Sequence, residues 1–283
     1  MAGRLEGKAA IVTGGTSGIG EGIAEAFVKE GANVVIAGRS TQRGEEIAAR
    51  LGDHCAFIQA DVTREEDIRN LVRFSVDRFG KLDCLVNNAG TALVTRSVET
   101  ITGEFFDQNM KLLVGSVVFG VKHAVPHMRK QGSGSIINTA SIAGLRFGYG
   151  PLLYSTSKAA VIHLTRCLAM ELIRDKIRVN AISPGAVETR IFGRAFGFDE
   201  EKSQATLKEM GSTLGDHVPI GRVGMPADIA AAAVYLAGDE SSFMTGHNMV
   251  LDGGATVGLR PEQVEEFFRS LHKVGASDRA SQA

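Results

Sequence analysis

Short runs of β-branched and small apolar residues alternate along the chain with longer stretches of helical period. The runs are AAIVT (9–13), NVVIAG (33–38), CAFIQADV (55–62), DCLVNNA (83–89), SIINTAS (135–141), IRVNAIS (177–183) and NMVLDG (248–253). Most are apolar at successive positions, not at every second one, so both faces of each strand are expected to be buried, as in a parallel sheet covered by helices. Helical connections with right-handed crossovers then predict a doubly wound α/β sandwich of three layers. Helix punctuation agrees: Thr63 followed by Glu66 reads as a capping box, Gly80 as its far end, and Pro226 as a first-turn residue ahead of ADIAAAAVYLAG.

No repeat, low-complexity tract or linker interrupts residues 1–255, which predicts a single domain. Residues 186–225 are long and weakly patterned for a connection in a compact domain, and are expected to form a lid or a mobile segment. Residues 256–283 extend past the last strand. Val264, Phe267, Phe268 and Leu271 recur there at helical spacing before a polar tail, so an amphipathic helix should either dock on its own domain or meet another subunit.

Charge excludes one class of partner. With 31 basic and 32 acidic side chains in 283 residues, nothing suggests binding to nucleic acid or to an anionic membrane. The longest apolar run, Ile229 to Ala237, is too short to span a bilayer, and Cys55, Cys84 and Cys167 have no metal or disulfide spacing. A cytoplasmic location is expected. Glycine is the anomaly, at 34 residues or about 12% against a usual value of roughly 7%.

Part of that surplus lies where the first strand meets the first helix, in Thr13-Gly14-Gly15-Thr16-Ser17-Gly18-Ile19-Gly20. Such a turn brings bare backbone and a helix N-terminus to a pyrophosphate, the arrangement of a Rossmann-type dinucleotide fold. An acidic residue about 20 positions on would hold a ribose 2′-hydroxyl, but the second strand ends in Gly38 and Arg39. Arg39 there suits a 2′-phosphate, which favours NADP(H) over NAD(H); the alternative is a solvated surface arginine. Farther on, Tyr154 and Lys158 are four apart and so share a helix face, where an ammonium can favour the ionised phenol. Ser141, at the end of a predicted strand, can meet them at the carboxyl edge of the sheet.

Taken in order, TGGTSGIG (13–20), Asp61-Val62, NNAG (87–90), Ser141, Tyr154-x-x-x-Lys158, Asn180, Pro184-Gly185 and LDGG (251–254) resemble the short-chain dehydrogenase/reductases in their compact one-domain branch. The resemblance implies a seven-stranded parallel sheet with Gly14, Thr16, Ser17, Gly18, Ile19 and Gly20 at the cofactor. It further implies Asp61 and Val62 beside adenine, Asn88, Ala89 and Gly90 along the cleft, and Pro184, Gly185, Val187 and Thr189 near the nicotinamide. Ser141 would hydrogen-bond the substrate oxygen, Tyr154 would donate or accept its proton, and Lys158 would lower the tyrosine pKa and hold the nicotinamide ribose. The substrate would be a small-molecule alcohol or ketone, and the protein a dimer or tetramer built on its long helices.

The pattern departs from the family at one place. The position of the family's catalytic asparagine, which steadies a water behind the lysine, falls on Leu113, which cannot hydrogen-bond; Asn109 lies one turn earlier. Leu93, Val94, Ile142, Leu145, Phe147, Leu153, Ile191, Phe192, Phe196 and Phe198 make the candidate substrate wall mostly apolar, favouring a bulky, weakly polar substrate, although Arg190 and Arg194 offer anion contacts. His123 and His127 have no third ligand nearby, so no metal site is expected. The leading expectation is an oxidoreductase interconverting a secondary alcohol and a ketone; the alternative is a nicotinamide-binding regulator or scaffold with little turnover.

Overall fold

The computed structural model describes residues 3–95, 97–191, 193, 198–258 and 260–269. Strands β1 Ala9–Thr13, β2 Asn33–Gly38, β3 Cys55–Gln59, β4 Cys84–Asn87, β5 Gly134–Thr139, β6 Ile177–Pro184 and β7 Asn248–Leu251 form one seven-stranded sheet. Their order is β3-β2-β1-β4-β5-β6-β7, every adjacent pair being parallel. The order of connection reverses between β1 and β4, which opens a crevice at their carboxyl ends.

The predicted doubly wound α/β fold is therefore the observed one. The helices are α1 Gly18–Lys29, α2 Thr41–Leu51, α3 Glu65–Phe79, α4 Gly103–Met110, α5 Ser116–Gln131, α6 Leu152–Glu171, α7 Glu200–Ala205, α8 Leu207–Gly215 and α9 Pro226–Ala237. Ala10, Val12, Val34 and Ile36 turn to one face, where Ile23 and Phe27 of α1 and Ile229 and Ala233 of α9 cover them. Ile11 and Val35 turn to the other, against Leu71 of α3, Val121 and Met128 of α5 and Ala169 of α6. Two covered faces explain why the strands are apolar at successive positions.

Four predicted runs overshoot their strands, because the last residues of each have left the sheet to build loops at its carboxyl edge. Asp61 is one of them, and it displaces the expected capping box. Its Oδ1 accepts both the Thr63 N–H at 2.9 Å and the Thr63 hydroxyl at 2.8 Å, so Arg64 and not Thr63 stands at the N-cap of α3. Gly80 does end α3 in the left-handed conformation, and Pro226 opens α9.

Between α4 and α5 the chain makes a π-helical turn, Lys111–Gly115. The Ser116 hydroxyl donates to the Leu112 carbonyl at 2.6 Å, occupying an acceptor in this loosened stretch. In the segment 186–225, Val187 bridges to Gly224 and α7 and α8 lie between them. Residues 261–269 are helical and all exposed. Phe192, Arg194, Phe196, Leu271 and the polar tail lie outside the described residues. Among the described residues no helix is long and apolar enough to cross a membrane.

Candidate active site

The turn after β1 is held by backbone contact. Gly14 and Gly18 have φ of +67 and +55, a region that L side chains rarely adopt. A Cβ on Gly20 would stand 2.2 Å from the Gly14 carbonyl oxygen, so only glycine fits. Ser17 is extended ahead of α1 and its side chain makes no capping bond, which keeps the N–H groups of the first turn for a ligand.

Thr13, the first residue of the glycine motif, joins this turn to the NNAG segment. Its Oγ1 accepts the N–H groups of Asn88 at 2.9 Å and Ala89 at 3.1 Å, while Asn88 Nδ2 donates to the Thr13 carbonyl at 3.0 Å. The end of β2 closes on the same turn: a Cβ on Gly38 would lie 2.6 Å from Thr16 Oγ1. Arg39 follows, exposed, with its carbonyl accepting from Gln59 Nε2 at 3.0 Å. Burial pushes the Asp61 carboxyl up, but the two Thr63 bonds and then the charges of Arg39 and Arg64 outweigh it and hold the group below its ordinary value. Val62 is buried beside it.

The other wall comes from β6 and β7. Pro184 ends β6, and the Gly185 N–H donates to the Leu251 carbonyl at 2.9 Å. A Cβ on Gly185 would meet Asp252 Cα at 2.8 Å, so the two strand ends touch. Val187 is buried in the core cluster that includes Ile229 and Ala233 of α9. Thr189 reaches the glycine turn: its Cγ2 is 3.1 Å from the place of a Cβ on Gly18. Glycine turn, free helix N-terminus and two facing strand ends together fit a dinucleotide.

Ser141, Tyr154 and Lys158 come together where β5 and α6 meet. Ser141 leads the turn Ile142–Gly144, and its Oγ accepts the Ala143 N–H at 3.1 Å, leaving the hydroxyl proton available. A Cβ on Gly144 would lie 2.6 Å from the backbone of Lys158, so glycine lets this turn lie directly on α6. Lys158 Nζ donates to the Thr139 carbonyl at 2.6 Å and stands 5.6 Å from the Tyr154 ring centroid. Burial pushes the ammonium down to about 8. Burial also raises the Tyr154 phenol above its ordinary value, with the Ser141 hydroxyl pulling the other way. For the phenol as a whole desolvation sets the net direction, upward, and the short bond of the lysine goes to Thr139.

The arrangement is that of a proton donor beside a hydrogen-bonding serine and a buried cation. A family profile described as Enoyl-(Acyl carrier protein) reductase matches residues 14–256. The NADP-dependent (R)-specific alcohol dehydrogenase of Lentilactobacillus kefiri is 41% identical over 263 residues, covering 90% of this chain and 99% of its own. The chain belongs to the short-chain dehydrogenase/reductase family. (+)-Borneol dehydrogenase 2 of Salvia officinalis is 39% identical over 257 residues, with 89% of this chain and 90% of its own covered. L-fucose dehydrogenase of Oryctolagus cuniculus is 40% identical over 269 residues, with 95% and 90% covered. As a short-chain dehydrogenase/reductase the protein is an NAD(P)-dependent oxidoreductase acting on alcohol and ketone groups.

Leu113 occupies the position where the resemblance expects an asparagine. It lies in the π-helical turn, 1% exposed, with Cδ2 3.0 Å from the place of a Cβ on Gly90; Lys158 Nζ is 3.9 Å from the same point. A methyl group thus walls the space beside the ammonium. Asn109, one turn earlier, is fully buried; its Nδ2 donates to the Phe105 carbonyl at 2.9 Å, and its Oδ1 has no partner. Asn180 is structural, bonding the Met244 carbonyl and the His247 N–H. Of the candidate substrate residues, Ile142 belongs to the core, Leu93, Leu153 and Ile191 are half-buried, and Val94, Leu145 and Phe147 are exposed. Lys202 lies 4.2 Å over the Phe198 ring. His123 Nε2 is 3.0 Å from Glu65 Oε1, and no group of three or more metal-ligating side chains occurs among the described residues.

Proposed function

We propose that the protein interconverts a bulky, weakly polar secondary alcohol and its ketone, with NADP(H) preferred over NAD(H), in one domain of residues 1–255 whose lid is 186–225. The convergence of Ser141, Tyr154 and Lys158 at the carboxyl edge of the sheet carries this reading. When bound, the nicotinamide supplies or accepts the hydride. In reduction, the Tyr154 hydroxyl gives its proton to the substrate oxygen while the Ser141 hydroxyl donates a hydrogen bond to it. The buried Lys158 ammonium stabilises the negative charge left on the phenol. Residues Gly14 to Gly20 would hold the pyrophosphate, Asp61 and Val62 the adenine, Lys158 and Tyr154 the nicotinamide ribose. Asn88, Ala89, Gly90, Pro184, Gly185, Val187 and Thr189 would border the nicotinamide side.

The NADP(H) preference is supported by Arg39 at the end of β2, where no carboxylate stands, and by the NADP-dependent relative. Borneol and L-fucose, for which two relatives are named, differ in polarity, so the substrate class rests on the apolar character of the candidate residues Leu145, Phe147, Leu153 and Ile191, of which Leu153 and Ile191 are half-buried. Exposed Val118 on α5 and Met170 on α6 support self-association through the long helices as a dimer or tetramer. We assign the protein a cytoplasmic location.

NADPH oxidation across a panel of ketones tests the assignment. Tyr154→Phe is expected to lose nearly all turnover while still binding NADPH; turnover retained in that variant would overturn it. Tight NADPH binding without turnover of any ketone by the wild-type protein would favour a nicotinamide-binding regulator instead.

A further inference from the structure

The stretch between Leu145 and Gly150 joins the turn after Ser141 to the start of α6, and much of it faces solvent. Phe147 is 92% exposed and Gly148 takes a φ of +98. One side chain in this stretch is nevertheless fastened: the Tyr149 hydroxyl donates to the carbonyl of Ala255, which lies on the opposite wall of the cleft.

Ala255 is a firm anchor. Asp252 organises its turn, with Oδ1 accepting the Gly254 N–H at 2.9 Å and Oδ2 accepting the Thr256 N–H at 2.8 Å and hydroxyl at 2.6 Å. The same turn supports the end of the lid, since the Ile220 N–H donates to the Gly253 carbonyl at 3.0 Å. It also touches Gly185 through Asp252. At the near end, Gly150 follows Tyr149 and packs on the catalytic ring: a Cβ there would lie 2.9 Å from Tyr154 Cδ1.

We propose that Tyr149 is a positioning residue that straps the loop carrying Gly150 to the Ala255 turn, sets the outer width of the cleft and so limits the size of the substrate. The proposal rests on the alcohol/ketone reading above. A ketone oriented by Ser141 and Tyr154 lies inside a ring closed by Tyr149, Ala255, Asp252 and Gly185. A substrate that outgrows this ring must break one hydrogen bond, worth about 1 kcal/mol or roughly fivefold in kcat/KM.

Tyr149→Phe keeps the ring and removes only the donor. Two measurements on the full-length variant decide the proposal. Amide hydrogen exchange on the cofactor-free protein should speed up in residues 145–152 and 253–258 together; unchanged exchange in both would overturn the strap. The ratio of kcat/KM for a bicyclic ketone to that for cyclohexanone should rise about fivefold, by loss of one bond of that strength. Faster exchange with an unchanged ratio would overturn the limit on size. If the wild-type protein turns over no ketone, the assigned activity fails and with it the size limit, while the exchange measurement still decides the strap.

Discussion

Lys158 donates its ammonium to the main-chain carbonyl of Thr139 at 2.6 Å, from a position only 5% exposed. Thr139 ends β5, two residues before Ser141, so the strand end that delivers the serine also fixes the lysine. Geometry and charge are therefore set by one short piece of backbone, and each has a consequence that can be measured.

Burial moves Lys158 from its ordinary 10.5 to about 8. The unfolded chain then binds this proton more tightly than the folded protein, which destabilises the fold at neutral pH by about 3 kcal/mol at 1.36 kcal/mol per unit. The penalty is full below pH 8 and shrinks as pH rises toward 10.5, because the folded protein releases the proton first. Lys158→Met should abolish turnover yet stabilise the protein at pH 7 by roughly 2 kcal/mol, after about 1 kcal/mol is deducted for the lost Thr139 bond. Urea unfolding at pH 7 checks this, and a variant less stable than wild type would refute it.

Reduction needs Tyr154 and Lys158 both protonated. Since burial holds the phenol above 10.0 and the lysine near 8, the lysine should titrate first. With saturating cofactor, kcat/KM for ketone reduction is expected to be flat up to about pH 7 and to fall through pH 8 as Lys158 loses its proton, while alcohol oxidation, which needs the phenol ionised, rises only at more alkaline pH. Removing the hydroxyl that pulls Tyr154 down, as in Ser141→Ala, should move the phenol farther up and shift the oxidation limb to higher pH. An oxidation limb that stays in place in this variant would mean that Ser141 does not act on the phenol.

Much of this was legible in the sequence, and what was not has a physical cause. Strand cores announced themselves because two covered faces require apolar residues at successive positions, as in Ile11 and Val12. Their ends did not: Asp61, Asn88, Ser141 and Asp252 continue the apolar or small-residue pattern, yet polar side chains there bind nearby backbone and pull the chain out of the sheet. The bonding role of Thr13 was silent because one hydroxyl bonding three backbone groups leaves no spacing pattern. The motif also suggested that Lys158 lowers the Tyr154 pKa. The net direction for the phenol is upward because it is desolvated, and desolvation is a property of the packed chain rather than of a four-residue spacing.

Arg39→Asp tests the cofactor preference. A charge-assisted contact to a 2′-phosphate is worth about 1.5–3 kcal/mol, so NADPH affinity should drop roughly 10- to 150-fold, whereas NADH should bind as well or better through its free ribose hydroxyls. Parallel titrations read the ratio directly. The variant also places a carboxylate where a cation now holds Asp61 below its usual range, so the Asp61 carboxyl should titrate higher by NMR. An unchanged NADPH/NADH ratio would make Arg39 a solvated surface residue.

Leu113→Asn probes the wall beside the lysine. The leucine methyl and Lys158 Nζ approach the same point above Gly90, at 3.0 and 3.9 Å, so a carboxamide in place of the methyl brings an oxygen acceptor toward the ammonium. Hydrogen bonding to the charged form favours it, and the alkaline limb of ketone reduction should move up by about one unit. Replacing a buried leucine with a polar group should at the same time cost about 2–4 kcal/mol of stability. The two effects separate cleanly, because lost packing lowers the denaturation midpoint without moving a pH profile. If the midpoint falls and the limb stays near pH 8, Leu113 is core packing alone; if the limb moves, this residue keeps Lys158 dry and so sets the pH at which the enzyme stops reducing its substrate.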